Sequence, residues 1–199
     1  MNNQHTNHKD YLPIEECRQK LTAWGDVVDV VMSLSSAISD LHSKNASLAL
    51  CIRPSIIFIE PKTNQVLLDL LKVYKKESIS LEKPVSLRSY GLWSAPEIRY
   101  RRYVSICEAT DIYSIGAVFF WLLMNRPPTA LDSVFGGKWS SQKAVFLRQR
   151  LSFESEVLLQ RILQRCLKNA IKSRFQNANE LLSEIWNLKK LIDNANAEA

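Results

Sequence analysis

The residues best suited to nucleophilic or metal chemistry are scattered along the chain. Cysteines stand at positions 17, 51, 107 and 166, and no two of them have the C-x-x-C spacing of a zinc or redox site. His5, His8 and His42 give no metal-ligand spacing either. Cys51 is a nucleophile by residue type, but it lies in an apolar run with no histidine expected beside it. A small buried hydrophobe is therefore the preferred interpretation, and unpaired thiols indicate a reducing, intracellular setting.

Charge offers a second kind of chemistry, the binding of an anionic partner. The formal net charge is +6, which permits an acidic protein, a nucleic acid or an anionic membrane surface. The densest basic cluster is Arg99, Arg101 and Arg102 in "EIRYRRY". No nucleic-acid module surrounds it, so a solvated loop is preferred and partner binding is the alternative. Trp139, in "FGGKWSSQ", is a candidate partner anchor, although a core position is slightly favoured.

These residues must be positioned by a globular domain. The chain has 199 residues, of which 46% are hydrophobic, and this composition predicts one domain with a sizeable core. We expect a flexible tail at residues 1–11, a domain over 12–192 and a frayed end at 193–199. No apolar run approaches the roughly 20 residues of a membrane span, and the polar start is not a secretory signal. The expected location is therefore intracellular, in the cytoplasm.

Helices are predicted where apolar residues recur every three or four positions. These stretches cover residues 13–25, 26–45, 110–125, 152–168 and 177 through 192. The third is apolar all round, which predicts a helix buried on every side. Val157 and Trp186 are assigned to buried helix faces. Asn177 and Glu180 have the spacing of a capping box at the start of the last helix.

Short apolar runs between the second and third helices predict a small sheet. Strands are expected at residues 47–52, 55–60 and 65–71, and the turn signal "PKTN" makes the last two a hairpin. Residues 72–90 are polar and irregular, which is typical of a surface loop. The predicted fold class is therefore mainly α with a small β hairpin or sheet.

Five segments carry a resemblance to a known fold. They read "ISDLHSKN", "IRPSIIFIEPKTNQVLLDLL", "SAPE", "TDIYSIG" and "LKNAIKSRFQNANELL". In this order they resemble the C-terminal lobe of the eukaryotic-type protein kinases over residues 12–190. The resemblance implies a kinase C-lobe-like fold.

The resemblance implies a set of framework residues. Glu97 and Arg174 match a buried ion pair that ties the Ala-Pro-Glu segment to the last helices, and Pro96 belongs to that segment. Removing one partner of such a pair would cost about 3–5 kcal/mol. Asp111 matches an aspartate that holds the catalytic-loop backbone in the family, and Gly116 lies in the same central helix.

The positions that carry out phosphoryl transfer in that family are degenerate. They are occupied by Cys51 for the catalytic aspartate, Arg53 for the loop lysine, Ile56 for the magnesium-binding asparagine and Asp69-Leu70-Leu71 for the metal-binding turn. A thiol does not replace the carboxylate that orients the acceptor hydroxyl, and Ile56 offers no oxygen to a hard cation. Asp69 is interpreted as a retained turn residue rather than a metal ligand.

The nucleotide-binding lobe of a kinase is also expected to be absent. The residues ahead of Asp26 contain no glycine-rich loop and leave no room for a five-stranded lobe. Apolar side chains of the hairpin would then face water, and proteins rarely leave such patches bare. We therefore expect residues 11–24 to fold over the hairpin, with a partner bound along a neighbouring groove.

A single C-lobe resembles, in architecture, the kinase non-catalytic C-lobe domain (KIND), a protein-interaction module. The resemblance implies a pseudokinase that is not an enzyme, takes no cofactor, does not bind ATP and acts in scaffolding or regulation. Its partner would be an acidic or amphipathic peptide. The candidate surface comprises Arg99, Arg101, Arg102, Trp139, Leu70 and Leu71. Two alternatives stay open: half of a split or atypical kinase completed by another chain, and a basic nucleic-acid-binding domain.

Overall fold

Helices dominate the part of the chain that the computed structural model describes, namely residues 10–44, 52–69, 91–129, 132, 147 and 150–197. The α-helices whose bounds fall in these ranges are α1 (Ile14–Cys17), α2 (Trp24–Ser43), α3 (Pro96–Arg99), α4 (Glu108–Met124), α5 (Phe153–Cys166) and α6 (Ala178–Ala197). Single 3-10 turns occur at Arg18–Lys20, Pro54–Ile56, Tyr103–Ser105 and Ile171–Ser173. The prediction of a mainly helical protein is confirmed.

A small antiparallel sheet lies beside these helices. Its strands are β1 (Leu12–Pro13), β2 (Ile57–Ile59) and β3 (Val66–Leu68), in the order β1-β2-β3. The predicted hairpin of β2 and β3 is confirmed, with Ile57 opposite Leu68. Asn64, at φ 57°, supplies the left-handed residue of the turn. A strand as short as β1 leaves no period in the sequence, and for that reason it was not predicted.

The N-terminal segment differs from the helix predicted at residues 13–25. Pro13 is extended (φ −54°, ψ 135°) and pairs opposite Phe58 at the sheet edge, where its missing N–H is tolerated. The helical structure that follows Pro13 ends at Leu21, whose ψ of 79° is not helical. Gly25, predicted as a helix stop, instead lies inside α2.

The N-terminal segment nevertheless covers part of the sheet, as predicted. β1 pairs with β2, and α1 packs against β2 and the neighbouring turn at Pro54–Ile56. Ile14 and Cys17 are buried there at 0% and 2% exposure. Burying these side chains removes apolar surface of β2 from water, which stabilises the arrangement.

Helix α4 is the centre of the core. It packs against α2, α5 and α6, and its side chains from Ala109 through Leu123 are buried, so the prediction of a helix buried on all sides is confirmed. A Cβ at Gly116 would lie 2.4 Å from Cys166 Cβ on α5. Real Cβ atoms do not approach that closely, so the α4–α5 contact requires glycine at this position.

Side-chain caps begin the last two long helices, and the capping box predicted at α6 is present in modified form. Ser152 Oγ accepts from Ser155 N–H at 3.2 Å and begins α5 as predicted. At α6, Asn177 Oδ1 accepts from Glu180 N–H at 2.9 Å. The Glu180 carboxylate, however, accepts from Gln176 N–H at 3.1 Å rather than from Asn177 N–H, so the reciprocal bond is displaced by one residue.

Two predicted core residues are exposed. Val157 and Trp186 are 49% and 48% accessible. Each lies beside the apolar stripe of its helix, and the stripes themselves are completed by Leu158 on α5 and Ile185 on α6, at 9% and 0% exposure. Trp186 is shielded in part by Lys190, whose Nζ lies 3.7 Å from the ring centroid.

Several predictions fall outside the described residues. They concern the strand at 47–52 up to Cys51, the loop at 72–90, Leu70, Leu71, Trp139 and the first nine residues. Among the helices that are described, none has the length and apolarity needed to cross a membrane.

Candidate functional site

Glu97 and Arg174 form a bidentate ion pair in the protein interior. Arg174 Nη1 and Nη2 donate to the two carboxylate oxygens at 2.7 and 2.8 Å, and the two side chains are 0% and 3% exposed. The guanidinium also donates to the carbonyls of Lys168, Ala109 and Asn169 at 2.7, 3.1 and 3.3 Å. Every guanidinium nitrogen therefore has an acceptor, which offsets the loss of hydration on burial.

The local structure around Glu97 explains how the pair is held. Pro96 occupies the first turn of α3, where its missing N–H leaves no bond unmade. Burial alone would raise the pKa of Glu97, but hydrogen bonds and charge from Arg174, helped by the Thr110 hydroxyl, lower that pKa below its ordinary value. Glu97 therefore stays ionised at neutral pH.

Tyr113 on α4 connects this pair to a second arginine. Arg174 Cζ lies 5.2 Å from the Tyr113 ring centroid and Arg99 Cζ lies 5.9 Å from it. Arg99 Nη2 also donates to Tyr113 Oη at 3.3 Å, and Arg99 is half-buried. We call Glu97, Arg99, Tyr113 and Arg174 the framework cluster. Arg99 is thus held against Tyr113 and half-buried, whereas its sequence neighbourhood predicted a solvated loop residue.

Arg101 and Arg102 behave as the charge pattern predicted. Both are exposed, and Arg102 Cζ lies 5.9 Å from the ring centroid of the exposed Tyr100. The structure therefore separates the basic cluster of the sequence into one inward and two outward arginines.

Asp111 is joined to His42, a partnership that sequence reasoning missed. His42 Nε2 lies 2.9 Å from Asp111 Oδ2, and His42 Nδ1 lies 3.7 Å from Glu108 Oε2. The imidazole is 5% exposed and Asp111 is fully buried, so the contact links the last turn of α2 to the first turn of α4. The Asp111 hydrogen bond outweighs burial and, with the charges of Asp111 and Glu108, raises the pKa of His42. The catalytic-loop backbone that Asp111 was expected to hold lies outside the described residues.

Two positions that the resemblance relates to metal binding, residues 56 and 69, lie next to each other at the hairpin. Asp69 N–H donates to the Ile56 carbonyl at 2.9 Å, which places residues 56 and 69 side by side. Ile56 is 1% exposed and belongs to the hydrophobic core, whereas Asp69 is half-exposed. Arg53 precedes the same turn, and its Nε donates to Ser55 Oγ at 3.0 Å. We call Arg53, Ile56 and Asp69 the degenerate site.

The side chain at Ile56 offers no ligand to a cation. Mg²⁺ requires several oxygen ligands in near-octahedral geometry, and the side chain at Ile56 supplies none. Over the ranges that the structure describes, no group of three or more histidines, cysteines or carboxylates is placed to hold a metal ion.

Comparison with known proteins indicates a distant relationship. No family model matches the chain. A probable serine/threonine-protein kinase of Clostridium acetobutylicum is 25% identical over 178 residues, which cover 86% of this chain and 26% of that protein. The chain therefore spans far less than the full length of this relative. The similarity is weak but extends over most of the chain, and together with the helical fold and its three-stranded sheet it suggests a kinase-like relationship.

Proposed function

We propose that this chain is a kinase-like module that binds a protein partner, in scaffolding or regulation, and does not transfer phosphoryl groups. The observation that carries the proposal is the burial of Ile56 in the hydrophobic core, beside Asp69. In kinases the equivalent place must present oxygen ligands to the magnesium ions that neutralise charge on the transferred group.

The chemistry lost at the degenerate site supports the absence of catalysis. With Ile56 packed inward, Asp69 is left as the carboxylate of a site that needs several oxygen ligands. The resemblance also assigns Cys51 to the place of the catalytic carboxylate. A thiol there does not accept and orient the acceptor hydroxyl as an ionised carboxylate does. On the resemblance, two positions needed for phosphoryl transfer therefore lack the residues that the reaction uses, which supports the proposal.

The framework cluster supports a binding role. Its buried ion pair is fully hydrogen-bonded and fixes α3 against the turn at Ile171–Ser173. The loop that follows α3 exposes Arg101 and Arg102. A surface on a rigid support loses little conformational entropy on binding, which favours a binding function. Leu70, Leu71 and Trp139 remain sequence-based candidates for the same surface.

Phosphoryl transfer is the direct test. The purified chain, incubated with labelled ATP, Mg²⁺ or Mn²⁺ and a general protein acceptor, should transfer no label. Its melting temperature should not show a metal-dependent shift with ATP. The matched variant Asp69→Asn should behave identically in both assays. Transfer by the wild type that Asp69→Asn abolishes would overturn the proposal.

A second candidate function is that of one part of a kinase completed by another chain. Two observations favour it: the kinase relative is much longer than the matched region, and Asp69 is retained beside position 56. In that case ATP and Mg²⁺ would stabilise a complex of this chain with a co-purified partner and leave the isolated chain unchanged. Asp69→Asn would then remove the stabilisation of the complex.

A further inference from the structure

We propose that the loop after α3 and the segment just before Arg174 together form a docking face for an acidic protein segment that carries apolar residues. This basic face consists of Tyr100, Arg101, Arg102, Val104, Lys168 and Lys172. The proposal rests on the proposed function, since it names the surface and the partner chemistry of that binding module.

The two sides of the basic face are held together by one buried ion pair. On one side, Arg102 N–H donates to the Glu97 carbonyl at 2.7 Å. On the other, Arg174, which is paired with Glu97, donates to the Lys168 carbonyl at 2.7 Å. Lys172 lies in the 3-10 turn that leads into Arg174. Residues far apart in sequence are thus neighbours around a common anchor.

The cations of the basic face are not neutralised within the described ranges. Arg101, Arg102, Lys168 and Lys172 are exposed, and none of them takes part in an ion pair with a described residue. Some cations on α5 and α6 are paired instead. Arg161 pairs with Glu184 at 2.7 Å, and Lys189 pairs with Asp29 at 2.7 Å. Four unpaired cations close to one buried ion pair favour an acidic partner through charge complementarity.

Apolar surface lies among these cations. Tyr100 is 65% exposed and Val104 is fully exposed. Exposed aromatic and arginine side chains supply much of the energy at protein interfaces. Because the exposed Val104 side chain contributes nothing to an electrostatic contact, we assign the face to an acidic segment that also carries apolar side chains.

The backbone of the basic face is already ordered. Arg101 has φ 57°, and the loop is closed by hydrogen bonds from Arg101 N–H to the Ile98 carbonyl and from Ser105 N–H to the Arg102 carbonyl, both at 3.1 Å. A preformed loop binds with a smaller entropy loss than a mobile one.

Paired charge reversals test the basic face in the full chain. The face variant is Arg102→Glu with Lys172→Glu, one change on each side of the ion pair. The control variant is Lys20→Glu with Lys62→Glu, two exposed cations outside the face. Each substitution lowers the net charge by two, so each double variant lowers it from +6 to +2. Labelled glutamate–tyrosine copolymer, polyglutamate and a DNA duplex of arbitrary sequence serve as probes for fluorescence anisotropy.

We expect the copolymer to bind the wild type more tightly than polyglutamate or DNA at near-physiological salt, about 0.15 M. The face variant should bind it about tenfold more weakly, because like charges now oppose the acidic partner, and the control variant should stay within about twofold. Thermal melting checks that both variants are folded. The milder pair Arg102→Gln with Lys172→Gln replaces the face variant if reversal prevents folding.

Three results would overturn the basic face: no copolymer binding by the wild type, equal losses in the face and control variants, or tighter binding of DNA than of the copolymer. The last result would instead support the nucleic-acid alternative. None of them bears on phosphoryl transfer. Failure of the proposed function would appear as transfer of labelled phosphate by the same preparation, and the two failures are therefore distinguishable.

Discussion

The framework cluster and the degenerate site are both built from positions that the kinase resemblance marks, yet they have different chemistry. In the framework cluster, a buried cation and a buried anion satisfy each other and the surrounding carbonyls. At the degenerate site, a position that would need a polar ligand is filled by the buried side chain of Ile56. One region holds a charged pair in the interior, and the other has hydrocarbon at a position where the resemblance implies a polar group.

The difference follows from what each region must do for the fold. Removing either member of a buried ion pair leaves the other charge unpaired in a medium of low polarity. Replacing only one of the two residues therefore destabilises the fold. A metal ligand has no such partner in the chain itself, and its replacement by an aliphatic residue adds apolar burial. A charged pair in the core together with a buried aliphatic side chain at position 56 is consistent with the proposed kinase-like module that does not transfer phosphoryl groups.

The largest expected effect comes from breaking the ion pair. Arg174→Met keeps an unbranched side chain but removes the guanidinium, which leaves Glu97 buried at 3% exposure without its partner. We expect the free energy of unfolding to fall by about 3–5 kcal/mol, a large part of the stability of an ordinary domain. Denaturant unfolding followed by circular dichroism measures the loss.

The matched control for that variant is Arg161→Met. Arg161 also pairs with a carboxylate, Glu184, at 2.7 Å, but it is 65% exposed. Exposed ion pairs contribute about 0–1 kcal/mol, so this change should be nearly silent. Equal losses in the two variants would mean that burial does not set the strength of the framework pair.

A smaller effect is expected from restoring a polar group to the degenerate site. Ile56→Asn puts an amide into the core and removes a fully buried aliphatic side chain. The free energy of unfolding should fall by about 2–4 kcal/mol. Ile56→Val, which removes one methylene group without adding polarity, should cost about 0.5–1.5 kcal/mol. Chemical denaturation of the three proteins gives both differences.

The same variants also probe metal binding. If the amide at position 56 remains buried, Mg²⁺ and ATP will not stabilise Ile56→Asn any more than the wild type. Stabilisation of Ile56→Asn alone would show that a single ligand separates this site from a working one. That outcome would move the interpretation towards the split-kinase candidate.

The long elements could be predicted because their signals are local and repeated. The all-apolar stretch of α4 and the turn residues of the β2–β3 hairpin each depend on neighbours in sequence. Strand β1 has two residues, too few to show a period. Pro13 was compatible with both a helix start and a sheet edge, and long-range pairing with Phe58 decided between them.

Side-chain partners were predicted less well, because they are set by contacts across the fold. Glu97 and Arg174 were paired through the resemblance alone, since 77 positions separate them. Arg99 was placed in solvent because its neighbours Arg101 and Arg102 belong there, and only the position of Tyr113 shows otherwise. For His42 the sequence excluded only a metal-ligand spacing, because a contact between α2 and α4 cannot be read from a single sequence.

The smallest predicted effect concerns that His42 contact and depends on pH. The hydrogen bond to Asp111 raises the pKa of His42 above its ordinary 6.5 in the folded protein. The charges of Asp111 and Glu108 raise this pKa further, whereas burial lowers it. The folded state therefore binds more protons than the unfolded state between 6.5 and the raised value. By linkage, this contribution is complete below pH 6.5 and is lost as pH rises through the folded pKa.

His42→Gln should expose this dependence. The glutamine amide can still donate a hydrogen bond to Asp111 but carries no charge, so the variant should be less stable than the wild type by about 1–2 kcal/mol below pH 6.5. The difference should shrink at higher pH as the wild-type imidazole loses its proton. The control His5→Gln with His8→Gln removes the other two imidazoles of the chain and should leave the wild-type pH profile unchanged. Glu97 does not affect this comparison. Because its pKa is lowered in the folded protein, the stability that it contributes is lost only as the pH falls below 4.5. A stability difference that stays constant from pH 5.5 to pH 9 would mean that His42 acts only by packing, and that the two carboxylates at the start of α4 do not hold it as a cation.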